Sequence, residues 1–299
     1  MTPITPDLLR AHPLPQHHDG QDKDGRGRVL VIAGSVEVPG AALLSAVAAL
    51  RAGAGKLQIA TCRSVAPHLG LAVPESLVLG LQETEAGGIA PEAAPRLQHA
   101  ASRADAVLLG PGMMDPPATR ALTAALLHGL DGPPLVLDAG ALDGLRAQRD
   151  ALHRHAGRVV LTPHTGEMAN LLDVPREEVE ADKFAAARHV AAILQCVVVM
   201  KGGETEVVTP QGEAWRFGGG TVGLATSGSG DTLAGVITGL LARGAPPVWA
   251  AIWGVYLHGE AGARLVRRDG GVGFLARELL AEIPGLMARA GETASDHLL

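Results

Sequence analysis

The sequence predicts an α/β fold in which helices cover both faces of a mostly parallel sheet. The first observation is that short, continuously apolar runs alternate with helical patterns from about Arg28 onward. Such runs are typical of strands that are buried on both faces of a parallel sheet. The second observation is that several runs end in glycine or in a polar residue. Because ligands of open α/β sheets bind at the carboxyl ends of the strands, we expect the functional residues along one edge of the sheet.

The elements follow from these runs in chain order. Strands are predicted at residues 28–34, 56–60, 76–81, 105–112, 134–140, 158–164 and 196–203. Two further strands, 205–209 and 213–217, are predicted to form a hairpin around Pro210-Gln211-Gly212. A helix that ends in glycines is predicted at 40–55, and helices are predicted at 231–243, 246–267 and 274–289.

These elements predict one domain, because neither a linker nor an internal repeat interrupts them. The predicted domain spans residues 25–291. Residues 1–24 are predicted to be an N-terminal extension and residues 292–299 a C-terminal tail, and both are expected to be frayed.

The composition predicts a protein with a sizeable core and no membrane segment. Apolar residues make up 47 % of the 299 residues. No stretch approaches about 18 uninterrupted apolar residues, and the N-terminus has neither the basic start nor the apolar segment of a signal peptide. Cys62 and Cys196 are too few for a disulfide framework and are predicted to be reduced thiols. We therefore expect a cytoplasmic protein without a membrane partner.

The charge and the aromatic content restrict the ligands. A net charge of −6 without a basic block argues against a nucleic-acid partner. Aromatic residues make up only 2 % of the chain, so stacking cannot be its main way of holding a base. The 39 glycines allow the main chain to approach a ligand closely. A nucleotide is therefore expected to be held by backbone N–H groups, helix ends and aliphatic contacts.

The stretch 227–231, Ser-Gly-Ser-Gly-Asp, opens an apolar helical pattern. The N–H groups of a first helical turn have no partners within the helix, and after a glycine-rich turn they form an anion site. A carboxylate beside a bound phosphate, here Asp231, is placed to deprotonate a hydroxyl that attacks phosphorus. The alternative is that Asp231 or Ser229 only caps the helix. Gly235 and Gly239 weaken an isolated helix and therefore predict close packing against a neighbour.

The same stretch resembles the G-[ST]-G-D signature of the ribokinase-like superfamily. Within that superfamily the chain is most similar to the NAD(P)H-hydrate dehydratases, from about residue 27 to residue 286. The resemblance rests on six motifs in order: AGSVEVPGAA (33–42), GPGM (110–113), LDAGAL (137–142), LTPHTGEMANLL (161–172), MKGGET (200–205) and SGSGDTLAG (227–235). It implies a ribokinase-like three-layer α/β/α sandwich with a central, mostly parallel sheet.

The resemblance also implies a role for each matching residue. Asp231 would be the catalytic residue and would touch the substrate, whose pocket would also be lined by Ala41, Gly112 and His164. The transferred phosphoryl group would be bound by the backbone N–H groups of Gly228, Ser229 and Gly230. The nucleotide would be held by Lys201, Gly202, Gly203, Glu204 and Thr205. Glu167 resembles the acidic residue that organises Mg²⁺ through water in this superfamily.

The implied activity is the ADP-dependent dehydration of the S-epimer of hydrated NADH or NADPH, which releases AMP and phosphate. Hydroxide is a poor leaving group because the pKa of water is about 15.7. A phosphate ester, whose second pKa is about 6, leaves more readily. Relatives imply a homotetramer that works with a separate NAD(P)H-hydrate epimerase. The residues alone predict only phosphoryl transfer, and they do not decide between ADP and ATP.

The chain departs from the family pattern at two positions. Met113 and Met114 follow Gly112 where relatives often have another glycine, which predicts a narrower pocket. Gly140 stands where many relatives have a second aspartate, so Asp138 is predicted to support the site without a catalytic role. Four histidines lack the spacing of metal ligands and are predicted to lie on the surface: His17, His18, His153 and His155.

Three alternatives remain at this point. A small-molecule kinase of the same superfamily, such as a hydroxyethylthiazole kinase, would share Asp231 and the anion site. An NAD-dependent oxidoreductase is disfavoured because no G-x-G-x-x-G opens the first βα unit, which reads Gly34-Ser-Val-Glu-Val-Pro-Gly40. A nucleotide-binding module without catalysis is the third alternative.

Overall fold

One sheet of ten strands forms the centre of the computed structural model, which describes residues 1–16 and 23–291. The strands are β1 (Thr2–Pro3), β2 (Arg28–Ile32), β3 (Lys56–Cys62), β4 (Ser76–Leu81), β5 (Ala106–Leu109), β6 (Leu135–Leu137), β7 (Val159–Leu161), β8 (Val197–Met200), β9 (Thr205–Val208) and β10 (Ala214–Phe217). Their order in the sheet is β1-β10-β9-β8-β7-β6-β5-β2-β3-β4. Neighbouring strands are parallel, except that β9 is antiparallel to both β8 and β10. The mostly parallel sheet and the predicted hairpin are thereby confirmed.

Twelve α-helices accompany the sheet in the described residues. They are α1 (Pro6–Ala11), α2 (Pro39–Arg51), α3 (Ala66–Ala72), α4 (Ala94–Ala101), α5 (Pro116–Gly129), α6 (Arg149–Arg154), α7 (Thr165–Leu172), α8 (Arg176–Ala181), α9 (Lys183–Leu194), α10 (Ser229–Ala242), α11 (Pro247–Asp269) and α12 (Ala276–Gly291). None of these helices combines the length and the apolar character that crossing a membrane requires.

The helices form two layers because successive side chains of a strand point to opposite faces of the sheet. On β2, Val29 and Val31 belong to a core that also contains residues of α2, α10, α11 and α12. Leu30 and Ile32, on the other face of β2, belong to a second core with residues of α4, α5, α6, α7 and α9. Both faces are therefore apolar, which explains the continuous apolar runs. The predicted three-layer α/β/α sandwich is confirmed.

The strands end earlier than the apolar runs predict. The run at 105–112 forms a strand only as far as Leu109, because Gly110 and Gly112 have left-handed φ angles of +120° and +66°. The run at 134–140 ends at Leu137, and Asp138 opens a 3₁₀ turn. The chain therefore turns away at the carboxyl edge, where the motif residues collect.

Helix α10 packs closely against α2, as its two internal glycines predict. A Cβ atom on Gly235 would overlap the carbonyl oxygen of Ser45, and one on Gly239 would overlap that of Ala49. Glycine is needed at both positions because any side chain would push the two helices apart. This contact fixes the axis of α10 and therefore the place of its N-terminus at the sheet edge.

The prediction of a frayed extension is wrong for residues 1–16. Strand β1 pairs with β10, and Thr5 caps α1 by accepting a hydrogen bond from the Leu8 N–H. Leu9 is completely buried, and Ile4 and Leu14 join the core. A two-residue strand and a six-residue helix are too short to give a periodic signal, which is why the pattern missed them. The predicted tail at 292–299 lies outside the described residues.

The three tryptophans of the chain all contact this N-terminal segment. Trp215 lies opposite Thr2 in the sheet, and Trp249 stacks on His12 with 3.7 Å between ring centroids. Trp253 donates its Nε1–H to the His12 carbonyl oxygen at 2.9 Å. Tryptophan fluorescence therefore reports whether residues 1–12 are docked.

Leu9→Ala is expected to lower the free energy of unfolding by about 2–5 kcal/mol, because it leaves a cavity under α1. The tryptophan emission should shift to the red at denaturant concentrations below the main transition, as the segment loosens first. Urea titrations followed by fluorescence check this. Leu77→Ala, on the exposed edge strand β4, is the control and should change stability by less than about 0.5 kcal/mol. Equal effects of the two substitutions would contradict the docking role.

The histidine predictions require a correction. His155 is buried and donates its Nε2–H to the Leu127 carbonyl oxygen at 2.9 Å. His153 is partly buried and bonds the Ile193 carbonyl oxygen in the same way. Both carbonyls belong to the last turns of helices, where no partner exists within the helix, so the imidazoles serve as caps. His17 and His18 lie outside the described residues.

Both cysteines are buried free thiols, as predicted. Burial raises the pKa of Cys62 to about 11, so the thiol stays protonated at neutral pH. Cys196 directly precedes β8, and burial raises its pKa even further. Neither thiol is therefore a candidate nucleophile.

Candidate active site

The first turn of α10 forms a glycine-rich entrance to the helix. Gly228 occupies the N-cap position with a left-handed φ of +85°, and a Cβ there would overlap Leu44 of α2. Glycine is therefore required by both conformation and space. The Ser229 N–H donates to the Thr226 carbonyl oxygen at 3.2 Å, so this amide is already engaged in the turn. The helix begins two residues before the predicted start, which places Asp231 on its first turn.

Charged side chains from three neighbouring strand ends meet beside this turn. Lys201 follows β8, and its Nζ lies 2.9 Å from Asp138 Oδ1 and 3.5 Å from Glu167 Oε2. Asp138 follows β6 and also accepts a hydrogen bond of 2.6 Å from the Thr162 hydroxyl. A Cβ atom on Gly230 would lie 3.4 Å from Lys201 Nζ, which brings the lysine to the start of α10. The predicted convergence at one sheet edge is thus present.

The surroundings of Asp231 change its acidity. Burial, and then the negative charge of Asp138, raise the pKa of Asp231 from 3.8 to about 6. Lys201 acts in the opposite direction, and Glu167 adds to the rise. Burial disfavours the charged form of Lys201, but the carboxylates of Asp138 and Glu167 outweigh it and raise the pKa of the lysine. A carboxylate whose pKa is raised towards neutrality and that lies close to a lysine ammonium group is typical of a general base.

His164 and Glu167 together cap helix α7. His164 Nδ1 accepts the N–H groups of Gly166 and Glu167 at 3.0 and 3.2 Å, and Glu167 Oε2 accepts the His164 N–H at 2.7 Å. A ring whose Nδ1 accepts these bonds carries its N–H on Nε2. The His164 side chain is 59 % exposed and faces the cavity described next. Its Nε2 lies 3.6 Å from Glu167 Oε1, which is too long for a hydrogen bond, so Nε2 can still donate to a ligand in the cavity.

A cavity of about 740 Å³ opens between the β8–β9 connection, the start of α10 and helix α11. Six of the predicted nucleotide-binding residues line it: Lys201, Gly202, Gly203, Thr205, Ser229 and Gly230. Glu204 does not line it; its side chain is exposed and lies 3.3 Å from Arg216. Gly228 does not line it either; a Cβ on Gly228 would meet the Leu44 side chain. The volume is ample for a nucleotide.

Several lining residues were not predicted, among them Phe217, Leu224, Thr226, Val255 and His258. Phe217 ends β10, and a Cβ on Gly259 would overlap its ring, so α11 and the hairpin meet here without a gap. The apolar walls agree with the predicted aliphatic grip on a base. These residues come from elements far apart in the sequence, so no local spacing indicated them.

Ala41 and Gly112 come together, as the resemblance implies. A Cβ on Gly112 would lie 2.6 Å from the Ala41 Cβ, and the left-handed φ of Gly112 also requires glycine. Met113 is buried in the second core, and Met114 is 55 % exposed. Neither Ala41 nor Gly112 is among the residues that line the 740 Å³ cavity.

The fit of Mg²⁺ depends on the available oxygen donors. Within residues 1–16 and 23–291, no group of three or more acidic, histidine or cysteine side chains is arranged to hold a metal ion. Lys201 instead supplies the counter-charge between Asp138 and Glu167. Mg²⁺ commonly keeps several waters and binds through one or two carboxylates and substrate phosphates. Glu167, which is partly exposed, fits an ion of that kind, delivered with a nucleotide.

The three layers and the helix that opens on a glycine-rich turn are features of the ribokinase-like class. A ribokinase-like superfamily protein from Enterococcus faecalis V583 superposes with a TM-score of 0.83 at 28 % identity, covering 98 % of this chain and 97 % of that chain.

Within this class, the chain belongs to the NAD(P)H-hydrate dehydratase family, whose model matches residues 29–285. The chain is 49 % identical over 290 residues to the ADP-dependent (S)-NAD(P)H-hydrate dehydratase of Xanthomonas campestris pv. campestris, with 96 % of each chain covered. The structure of the Bacillus subtilis ADP/ATP-dependent NAD(P)H-hydrate dehydratase, co-crystallised with ATP and Mg²⁺, shares 32 % identity and a TM-score of 0.82. The match covers 97 % of this chain and 98 % of the Bacillus subtilis chain. The predicted family is confirmed over the kinase and oxidoreductase alternatives.

Proposed function

We propose that this protein uses ADP to dehydrate the S-epimer of hydrated NADH and NADPH, which restores the reduced dinucleotide and releases AMP and phosphate. The observation that carries the proposal is Asp231, a carboxylate with a pKa of about 6 on the first turn of α10. Asp231 does not itself line the 740 Å³ cavity, but it directly follows Ser229 and Gly230, which do. The similarity to dehydratases that are described as ADP-dependent supports the choice of reaction and nucleotide.

In the first step, the Asp231 carboxylate takes the proton of the substrate hydroxyl as its oxygen attacks the terminal phosphorus of ADP. The new P–O bond forms, the P–O bond to AMP breaks, and AMP leaves with the electron pair. Amides of the first turn of α10 and the Lys201 ammonium group stabilise the charge of the moving phosphoryl group. Mg²⁺, when it arrives with the nucleotide, would neutralise further phosphate charge, and Glu167 would hold its water.

In the second step, the C–O bond to the new phosphate ester breaks and phosphate leaves with the electron pair. The neighbouring ring carbon loses a proton to solvent, and the carbon–carbon double bond of the reduced nicotinamide returns. Substrate and ADP thus give NAD(P)H, AMP and phosphate. His164 Nε2–H and the Ala41–Gly112 pair would orient the substrate, in agreement with the roles implied by the family motifs.

Product analysis tests this proposal. The protein is incubated with the S-epimer of hydrated NADH and ADP, while the absorbance of the reduced nicotinamide ring is followed. We expect NADH, AMP and phosphate in equal amounts. A kinase would retain the phosphate on its product and release no NADH, so a phosphorylated hydrate without recovery of absorbance would refute the dehydratase.

The pH dependence of turnover should report Asp231. Because the base must be deprotonated, kcat/KM is expected to be constant above pH 7 and to fall tenfold per pH unit below about 6, following the raised pKa of Asp231. Rates are measured from pH 5 to pH 8. The terminal phosphate of ADP titrates in the same range, so ADP affinity is measured by calorimetry at each pH. A rate that stays level to pH 5 at constant ADP affinity would contradict the assignment.

The quaternary and functional partners form a further part of the proposal. We propose a homotetramer that acts in the cytoplasm beside a separate epimerase. Multi-angle light scattering gives the mass of the assembly. If the dehydratase accepts only the S-epimer, a mixture of the R and S forms of hydrated NADH should be repaired in part, and added epimerase should complete the repair.

A further inference from the structure

His258 of α11 lies in the wall of the nucleotide cavity, and no motif of the sequence includes it. Its Nε2 lies 2.9 Å from the hydroxyl oxygen of Ser229, the first residue of α10. Both residues line the cavity beside Gly230. Ser229 is itself 95 % buried, so its hydroxyl can form hydrogen bonds in only a few directions. The contact joins the helix that carries the proposed anion site to a different helix.

The side-chain hydroxyl is the hydrogen-bond donor with which Ser229 can still bind an anion. Its backbone N–H is engaged with the Thr226 carbonyl oxygen in the turn that precedes α10. A hydroxyl has one O–H donor and two acceptor lone pairs. If the hydroxyl donates to His258, a lone pair faces the cavity and repels a phosphate. If His258 donates to the hydroxyl, the O–H hydrogen is free to point at a phosphate.

The ring of His258 is neutral at physiological pH. Burial is the main cause that lowers its pKa to about 4; a hydrogen bond with the backbone of Ser229 acts in the opposite direction, and the charge of Lys201 lowers the pKa further. A neutral imidazole carries one N–H, on either Nδ1 or Nε2. If Nε2 donates a hydrogen bond, the ring is in the tautomer with its proton on Nε2. An anion in the cavity would favour this tautomer, because it turns the serine hydrogen toward the negative charge.

We propose that His258 is a positioning residue that donates its Nε2–H to the Ser229 hydroxyl and thereby directs the serine O–H at the terminal phosphate of ADP. The anion site then consists of backbone amides and one oriented side-chain donor. This inference rests on the proposed function only in naming ADP as the ligand. It distinguishes the terminal phosphate of ADP, which the hydroxyl would touch, from AMP, which lacks that phosphate.

Calorimetric titrations with ADP and with AMP, both in the presence of Mg²⁺, test the inference without the hydrated substrate. The variants are Ser229→Ala, His258→Leu and the double variant. Each single variant is expected to weaken ADP binding about tenfold, the value of one hydrogen bond to a charged group, and AMP binding by less than about twofold. Because both variants remove the same contact, the double variant should bind ADP no more weakly than either single one.

Two further variants separate positioning from packing. His258→Gln keeps an N–H donor near the Nε2 position and is expected to restore ADP affinity to within about threefold of the native protein. His153→Leu removes a histidine that bonds a backbone carbonyl far from the cavity, and it should leave ADP affinity unchanged. Equal losses for ADP and AMP, additive losses in the double variant, or no rescue by glutamine would each overturn the proposal. Failure of the dehydratase assay with intact ADP affinities would refute the proposed function instead.

Discussion

Asp231→Asn is expected to lower kcat by about 10²–10⁴-fold, the usual contribution of a general base. Asparagine has nearly the same shape but cannot accept the proton of the attacking hydroxyl. ADP affinity should stay within about threefold of the native value, because the amides of the first turn and Lys201 remain in place. The comparison also decides between an enzyme and a binding module, since a module has no turnover to lose. Single-turnover assays and ADP calorimetry measure the two quantities.

The same substitution is expected to increase stability at neutral pH. The pKa of Asp231 is higher in the folded protein than its ordinary value of 3.8, so the folded state holds this proton more tightly than the unfolded state. Stability from this group is therefore present below about pH 4 and is lost as the pH rises through about 6. The rise from 3.8 to about 6 corresponds to on the order of 3 kcal/mol, and asparagine removes this cost. Urea unfolding at pH 5 and at pH 8 measures the gain.

Asp182→Asn is the matched control for Asp231→Asn. Asp182 caps α9 through the Ala185 N–H at 2.8 Å, and asparagine caps helices equally well. Turnover and stability should both remain unchanged. A loss of turnover in both variants would show that the assay reports general damage, and an Asp231→Asn protein with native turnover would refute the base. Asparagine can deamidate to aspartate, so the mass of each variant is verified before and after the assay.

The sequence predicted the features that depend on local pattern. The strands at 28–34 and 196–203 were found because continuous apolar residues can be buried only where both faces of a sheet are covered. The start of α10 was predicted because a glycine-rich turn followed by an acidic residue is a local signal for the first turn of a helix. Gly235 and Gly239 were interpreted correctly for the same reason, since a glycine within a helix costs stability unless a neighbour needs the space.

Features that depend on contacts between distant segments were missed. The docking of residues 1–16 depends on Trp249 and on β10, more than 200 positions later. The bond between Ser229 and His258 depends on the crossing of α10 and α11. His155 was assigned to the surface because it lacks the spacing of metal ligands, and its carbonyl partner, Leu127, lies 28 residues away in the sequence. In each case the stabilising contact is made with a residue far away in the sequence, which the spacing of neighbouring residues does not indicate.

The capping role of His164 and Glu167 lies between these extremes. The sequence His164-Thr-Gly-Glu167 has the three-residue spacing of a capping box, so a local signal was present. The spacing alone does not identify this cap, because histidine is an unusual cap residue; for Glu167, a favourable position at the positive end of the helix is the alternative to a metal role. Capping and ligand binding are compatible here. The cap uses Nδ1 and fixes the ring, and this leaves Nε2–H for the substrate.

Asp138, which the sequence predicts to support the site, influences the charges of the groups around it. Its carboxylate holds Lys201 by a direct ion pair, and its charge is the second largest cause of the raised pKa of Asp231. The sequence predicted a supporting role from the missing second aspartate but gave no partner. The partner follows only from the sheet order, which places β6, β7 and β8 side by side.

Lys201→Met is expected to lower the free energy of unfolding by about 3–5 kcal/mol, because it leaves partly buried carboxylates without their counter-charge. Asp231, which Lys201 helps to keep ionised, can escape part of this cost by taking up a proton. The pKa of Asp231 should therefore rise above 6, since Lys201 is the charge that now lowers it. The loss of stability should be larger at pH 8 than at pH 5, and the pH profile of turnover should move to higher pH. Urea unfolding at both pH values and the rate profile measure these effects.

Lys56→Met is the matched control for Lys201→Met. Lys56, the first residue of β3, forms a partly exposed ion pair with Asp24, and ion pairs near the surface contribute only about 0–1 kcal/mol. Its removal should change neither the pH profile nor ADP affinity, whereas Lys201→Met should weaken ADP binding by at least tenfold through the lost phosphate contact. If Lys201→Met lost the same stability at pH 5 and pH 8, the carboxylates would not be coupled to the lysine. The cluster at the carboxyl edge of the sheet would then not be the cause of the raised pKa of Asp231. The assignment of Asp231 as a base with a pKa near neutrality would need a different explanation.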